Sequence, residues 1–309
     1  MRVFRVAALI LVLLAPPASA KAPVRNGFSL QPAAISIDEI LKGGPPRDGI
    51  PALDNPPFLP AGEASWQDSD LVLGIVWRGV ARAYPIAILD WHELVNDTLG
   101  GRPILVSYCP LCGTGIVFDR RVEGAVRRFG VSGLLYRSDL LMYDRETESL
   151  WSQISAEAVT GPSLGRRLAL LRSGIERFGE WRRSHPETTV LSRQTGYRRN
   201  YARSPYAGYA DSPRLAFPAP VDRRYHPKMP TLGLRIEGGE ARAYPALEVA
   251  RSGGVVEEQF GGRPVKVAFD SEGQVFRVVA PDSVEVVQGY WFAWTAFHPD
   301  TSVFISPGH

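Results

Sequence analysis

The run Tyr108-Cys109-Pro110-Leu111-Cys112-Gly113 holds the only two cysteines of the 309-residue chain, three positions apart. Thiols at this spacing either share one metal ion or close into a small redox-active disulfide. In thiol–disulfide exchange proteins with a Cys-Pro-x-Cys run, the first cysteine sits at a helix N-terminus, whose dipole favours the thiolate. Here Gly113-Thr114-Gly115 follows, and then the strand-like Ile116-Val117-Phe118. A helix does not start easily through two glycines into such a run.

The order strand, Cys-Pro-x-Cys-Gly, strand is that of the metal knuckle in rubredoxins and zinc ribbons. Backbone amides face both sulfurs there, and the glycine accepts a left-handed conformation. One knuckle is half of a closed structural zinc site, so further donors must come from elsewhere. The expectation is a single metal ion, zinc, copper or iron, held by Cys109, Cys112 and His92. Glu93 stands beside His92 as a further ligand or acid–base group. The plain alternative for His92 is an N–H bonded to a backbone carbonyl in a packed helix. Met142 would add a thioether suited to copper(I), although Leu140-Leu141-Met142 reads equally as core.

A second group of polar residues follows the cysteines. Phe129 to Gln153 is dense in hydroxyl, carboxylate and aromatic side chains. Ser132, Ser138, Asp139 and Tyr143 are candidate binding residues of a pocket in this stretch. The bland alternative is a pair of ordinary strands joined by a turn at Asp144 to Thr147. Asn96-Asp97-Thr98 fits a glycosylation sequon. No nucleophile elbow, phosphate loop, dinucleotide fingerprint or His-Glu-x-x-His helix is present.

Three functions stay open on these residues. One is a metal-binding protein of unestablished activity. Another is a periplasmic thiol–disulfide oxidoreductase, with Cys109 attacking, Cys112 resolving and His92 able to supply the activating charge, which would act on a redox partner. The third is a non-catalytic module for a small molecule, in which a structural disulfide braces the turn.

The elements that position these residues are repeated. Leu73-Gly74-Ile75 through Ala81-Arg82-Ala83-Tyr84-Pro85 recurs as Leu232-Gly233-Leu234 through Ala241-Arg242-Ala243-Tyr244-Pro245. Gly100-Gly101-Arg102-Pro103 recurs as Gly261-Gly262-Arg263-Pro264, and Trp181 with His185-Pro186 recurs as Trp294 with His298-Pro299. This reads as two copies of one unit, about 66–192 and 226–305. The regions are then an extended arm at 21–65, copy one with the cysteines and insert at 66–215, and a linker with a degenerate scaffold copy at 216–309. Copy two has Asp270-Ser271-Glu272-Gly273 where copy one has the cysteines. Pro85 starts a short helix to about Val95, and Gly174 to Ser184 reads as another. The rest is mainly strand, so the expected fold class is α+β, rich in antiparallel sheet, with the two copies packed together.

Residues 1–20 read as a cleavable signal peptide: Arg2 and Arg5, an apolar run from Val6 to Leu14, then Ala18-Ser19-Ala20. That places the mature chain in the periplasm or outside the cell, with no transmembrane segment. The net charge is +3 and the arginine pairs are interleaved with acids, which leaves no basic footprint for nucleic acid.

Trp91-His92-Glu93, Asn96-Asp97, Tyr108 to Cys112, Phe129-Gly130-x-Ser132-Gly133, Met142-Tyr143-Asp144 and Ser149-Leu150-Trp151-x-Gln153 together resemble the bacterial family known as domain of unknown function 3179. The resemblance covers roughly residues 66–210. It implies an extracytoplasmic or membrane-associated protein, and no particular activity, substrate or cofactor.

Overall fold

The computed structural model describes residues 22–308; the signal-peptide reading of residues 1–20 lies outside them. The described chain is mostly β, with several antiparallel and mixed sheets and few short helices. Its four α-helices are six or seven residues long, too short to form a layer of their own.

The cysteine hairpin lies in the middle of the largest sheet. Leu94–Leu99, Arg102–Cys109 and Thr114–Asp119 form an antiparallel meander. Thr114–Asp119 then meets Glu285–Tyr290 through the pair Gly115 and Gln288. From there the sheet continues through Pro230–Arg235 and Ala241–Pro245 to Ser302–Val303. A nine-stranded mixed sheet therefore joins the middle of the chain to its end.

A five-stranded sheet holds Ser173–Arg177, Leu71–Trp77, Val80–Pro85, Thr189–Leu191 and Phe58–Pro60. The helix expected over Gly174 to Ser184 is thus shorter than its sequence suggests. Residues Ser173–Arg177 pair with Leu71–Trp77 as a strand, and only Phe178–Ser184 is helical. Tertiary pairing overrides local helix preference here. A further sheet contains Phe129–Tyr136 and Asp139–Asp144, whose hairpin turns at Arg137 and Ser138, both at positive φ.

The stretch before Trp66 is tied to all three sheets. Ile40–Lys42 pairs with Phe129–Tyr136, Leu53–Asp54 runs parallel to Leu94–Leu99, and Phe58–Pro60 pairs with Thr189–Leu191.

Several pairings recur between the middle and end of the chain. Thr189–Leu191 lies parallel to Val80–Pro85, and Ser302–Val303 lies parallel to Ala241–Pro245. The Trp181 indole N–H donates to Thr188 Oγ1 at 2.9 Å, and that of Trp294 donates to Thr301 Oγ1 at 3.0 Å. Tyr84 donates to Asp97 and Tyr244 to Glu258, each at 2.6 Å. One difference is plain. Val255–Phe260, Arg263–Asp270 and Val275–Val279 form a separate three-stranded sheet, whereas the cysteine meander belongs to the large one.

Candidate metal centre

Cys109 ends its strand and Cys112 lies in the turn that follows. The turn closes with the Cys112 N–H donating to Cys109 O at 3.1 Å, and Gly113 adopts φ +59°. The Cys112 carbonyl accepts from the Tyr290 N–H at 2.8 Å and from Thr114 Oγ1 at 3.1 Å. A strand from the chain's end thus clamps the turn.

The hairpin turn at Arg137 and Ser138 brings a carboxylate to the sulfurs. One donor atom each from Cys109, Cys112 and Asp139 lie within 4.8 Å of one another. All three residues are buried, at 1%, 0% and 1% exposure. Both cysteines are free thiols. Asp139 Oδ2 accepts from the Ile154 N–H at 3.1 Å, while Oδ1 is buried with no hydrogen-bond partner. Ser138 O lies 3.4 Å from Cys112 Sγ.

Electrostatically the centre is short of positive charge. Burial pushes the Asp139 carboxyl up to about 7. Burial, then the neighbouring Asp139 and Asp90, push Glu93 up to about 8. Burial also raises both thiols, that of Cys112 well above the ordinary value. Each of these shifts opposes a bare anion. A bound cation would reverse all of them, because it favours the thiolate and carboxylate forms.

Glu93 sits where the helix Ile86–His92 stops, at φ 56°. This left-handed residue explains why the helix is shorter than its apolar pattern implies. The conformation is costly for a non-glycine residue.

His92, expected as the third donor, is engaged elsewhere. Its Nδ1 lies 2.8 Å from Pro51 O and its Nε2 lies 2.7 Å from Tyr201 Oη. Both ring nitrogens are therefore used, and the third donor beside the sulfurs is Asp139. Met142 is fully buried in the same apolar cluster as the cysteines.

The other candidate binding residues divide. Ser138 and Asp139 belong to the centre. Ser132 Oγ donates to Leu141 O and accepts from the Leu134 N–H, which fills the bulge between Val131 and Leu134. Tyr143 donates to Asp48 Oδ2 at 2.6 Å beneath the Arg47 guanidinium, in a different apolar cluster. Asn96 is 1% exposed and its amide bonds Asp54 and Phe129 O, so the sequon asparagine is not a surface acceptor.

Sequence patterns missed the rest of the surroundings. The irregular stretch between Leu191 and Pro230 covers the cysteine turn. Ser138 Oγ donates to Phe217 O at 2.6 Å, and Leu215 and Phe217 pack against the cluster that contains Cys109 and Cys112. Burial raises the hydroxyls of Tyr206 and Tyr209, from that stretch, and of Tyr108 and Tyr290, and a thiolate at Cys109 would raise each of them further. Tyr108 precedes Cys109 in the chain, but no local spacing marks Tyr206, Tyr209 or Tyr290, which reach the centre only on folding.

A mostly-β chain with a buried thiol–thiol–carboxylate group is the class of protein that fold and centre define. The family model described as a protein of unknown function, DUF3179, matches residues 47–282, and the chain belongs to that family. No curated protein and no solved structure matches it. Among the described residues no helix is long and apolar enough to cross a membrane.

Proposed function

We propose that the protein binds one metal ion through Cys109, Cys112 and Asp139. The observation that carries this reading is the Asp139 carboxylate, which keeps one buried oxygen without a hydrogen-bond partner and brings an oxygen within 4.8 Å of two buried thiols. Buried polar atoms are normally satisfied, and a cation satisfies this one together with both sulfurs. Two thiolates and one carboxylate suit zinc, with iron or copper as other occupants. Three protein donors leave one tetrahedral position for water or a ligand, the arrangement of reactive rather than closed structural sites. Glu93, whose carboxyl is near enough to feel the Asp139 charge, is the acid–base group of that position.

Burial argues against the thiol oxidoreductase reading. An attacking thiol must reach a partner's disulfide, and Cys109 is 1% exposed. The recurrent pairings fit two copies of one unit, with chemistry kept only in the first; the expected signal sequence would place the centre outside the cytoplasm.

Metal analysis of protein purified under reducing conditions tests the reading. One equivalent of zinc, iron or copper is expected in the wild type, falling below about a tenth in Cys109→Ser and sharply in Asp139→Asn. Substoichiometric metal in the wild type, or an unchanged content in Cys109→Ser, overturns it.

A further inference from the structure

A cleft of about 390 Å³ lies against the outer side of the cysteine hairpin. It is walled by several separate parts of the chain. Tyr108 and Gly113 come from the hairpin, Ile175 from the strand beside it, and Phe276 and Tyr290 from the last third. The size and the mixture of aromatic and aliphatic walls are those of small-molecule sites, which range over roughly 300–1,000 Å³.

One polar group in this wall is unusual. Lys228 lines the cleft and is 3% exposed. Its ammonium donates to Ser212 O and, at 2.7 Å, to Arg214 O, and lies 3.7 Å from the Tyr209 ring centroid. No carboxylate lies within 4.0 Å of it among the described residues, whose ion pairs involve other groups. Buried charges are ordinarily paired, and an ammonium has three donors, of which two are used by the carbonyls. Gln288, also in the wall, is already spent: it donates to Phe276 O and accepts from the Ile175 N–H. The other charged group of the lining is Asp211, exposed at the rim. Its carboxylate disfavours a second negative charge on an occupant.

We infer that this cleft binds a small amphipathic monoanion, an organic acid whose aromatic or conjugated body lies between Tyr108, Ile175, Phe276 and Tyr290 and whose anionic group pairs with Lys228. A polyanion would meet Asp211, and a neutral molecule would leave Lys228 unpaired. The cleft is distinct from the metal donors and borders them through Gly113, the residue after Cys112.

Two fluorescent probes of nearly equal shape test this: 8-anilinonaphthalene-1-sulfonate, an anion, and N-phenyl-1-naphthylamine, its uncharged counterpart. Titration of the full mature chain is expected to show one site that prefers the anion. Lys228→Met is expected to weaken the sulfonate at least about tenfold, the scale of one charge-assisted hydrogen bond, and to leave the neutral probe within about twofold. Ile175→Trp, which fills the cleft, is expected to abolish both. Equal affinity for the two probes, no saturable site in the wild type, or a sulfonate affinity unchanged by either substitution overturns the inference. If Lys228→Met does not fold, the wild-type preference together with Ile175→Trp decides. Neither probe reads metal content, so the outcome is independent of the metal centre.

Discussion

Asp139 and His92 show how side-chain chemistry is distributed around the centre. A carboxylate with one bare oxygen at 1% exposure is tolerated only when neutral or beside a cation. His92 has the opposite character, with both nitrogens satisfied. Changing His92→Phe should strand Pro51 O and destabilise the fold by about 1–3 kcal/mol, the cost of an unsatisfied buried group. Metal content should remain at the wild-type level, and urea denaturation with metal analysis of the same sample checks both. His298 provides a pH signature away from the centre. Its Nε2 is buried without a partner, and burial followed by the Arg235 charge lowers it to about 4. The unfolded chain takes up that proton near pH 6.5, so it binds more protons than the folded state between about 6.5 and 4. Stability is therefore full above this window and falls as pH drops through it, by up to about 3 kcal/mol. Urea midpoints measured from pH 7 to 4 should show the loss, and His298→Gln should flatten the part due to this group.

At the level of elements, two helices rest on two glycines. A Cβ on Gly74 would stand 2.4 Å from the Trp181 ring, and one on Gly233 would stand 2.2 Å from the Trp294 ring. These are ring atoms of buried side chains, tied by their indole N–H to Thr188 and Thr301, so neither can move aside cheaply. Gly74→Ala and Gly233→Ala should each cost about 2 kcal/mol or more through overpacking. For a chain of this size that is a fall in Tm of several degrees, read by calorimetry. Gly79 has φ +79° and nothing within 4 Å of its would-be Cβ. Gly79→Ala should therefore cost only the backbone term, about 1 kcal/mol. Equal losses at all three positions would show that the tryptophan contacts are not tight.

Across the whole molecule, the last third of the chain is built into the body that carries the cysteines. Val287, Trp291 and Phe292 share one apolar cluster with Cys109, Cys112 and Phe118. Tyr290 clamps the cysteine turn, and Arg167 pairs with Glu285 at 2.8 Å. A chain ending near Ala216 would expose that apolar face and lose the clamp. It should be insoluble or aggregated in size-exclusion chromatography and should fail to retain metal. A soluble monomer with full metal content would show the middle of the chain to be an independent unit.

What the chain determined locally is the thiol pair, the hairpin that carries it and the recurrent blocks. Two intervening residues in a closed turn keep the sulfurs together, Gly113 suits the left-handed position that follows, and alternating apolar residues mark the flanking strands. The aromatic and polar pattern from Phe129 to Gln153 singled out Ser132, Ser138, Asp139 and Tyr143, of which Asp139 and the Ser138 carbonyl stand beside the sulfurs and the other two bond elsewhere. Tertiary structure decided which group stands beside the sulfurs. His92 is nearer the cysteines along the chain, but Pro51 O, 41 positions away, and Tyr201, 109 positions away, claim its nitrogens. Asp139 arrives because a hairpin in another sheet turns beside the cysteines. The strand at Ser173–Arg177 and the convergence of Tyr108, Lys228 and Tyr290 on one cleft have the same origin. In each case the deciding partner lies far along the chain, and burial selects contacts that spacing and local propensity do not encode.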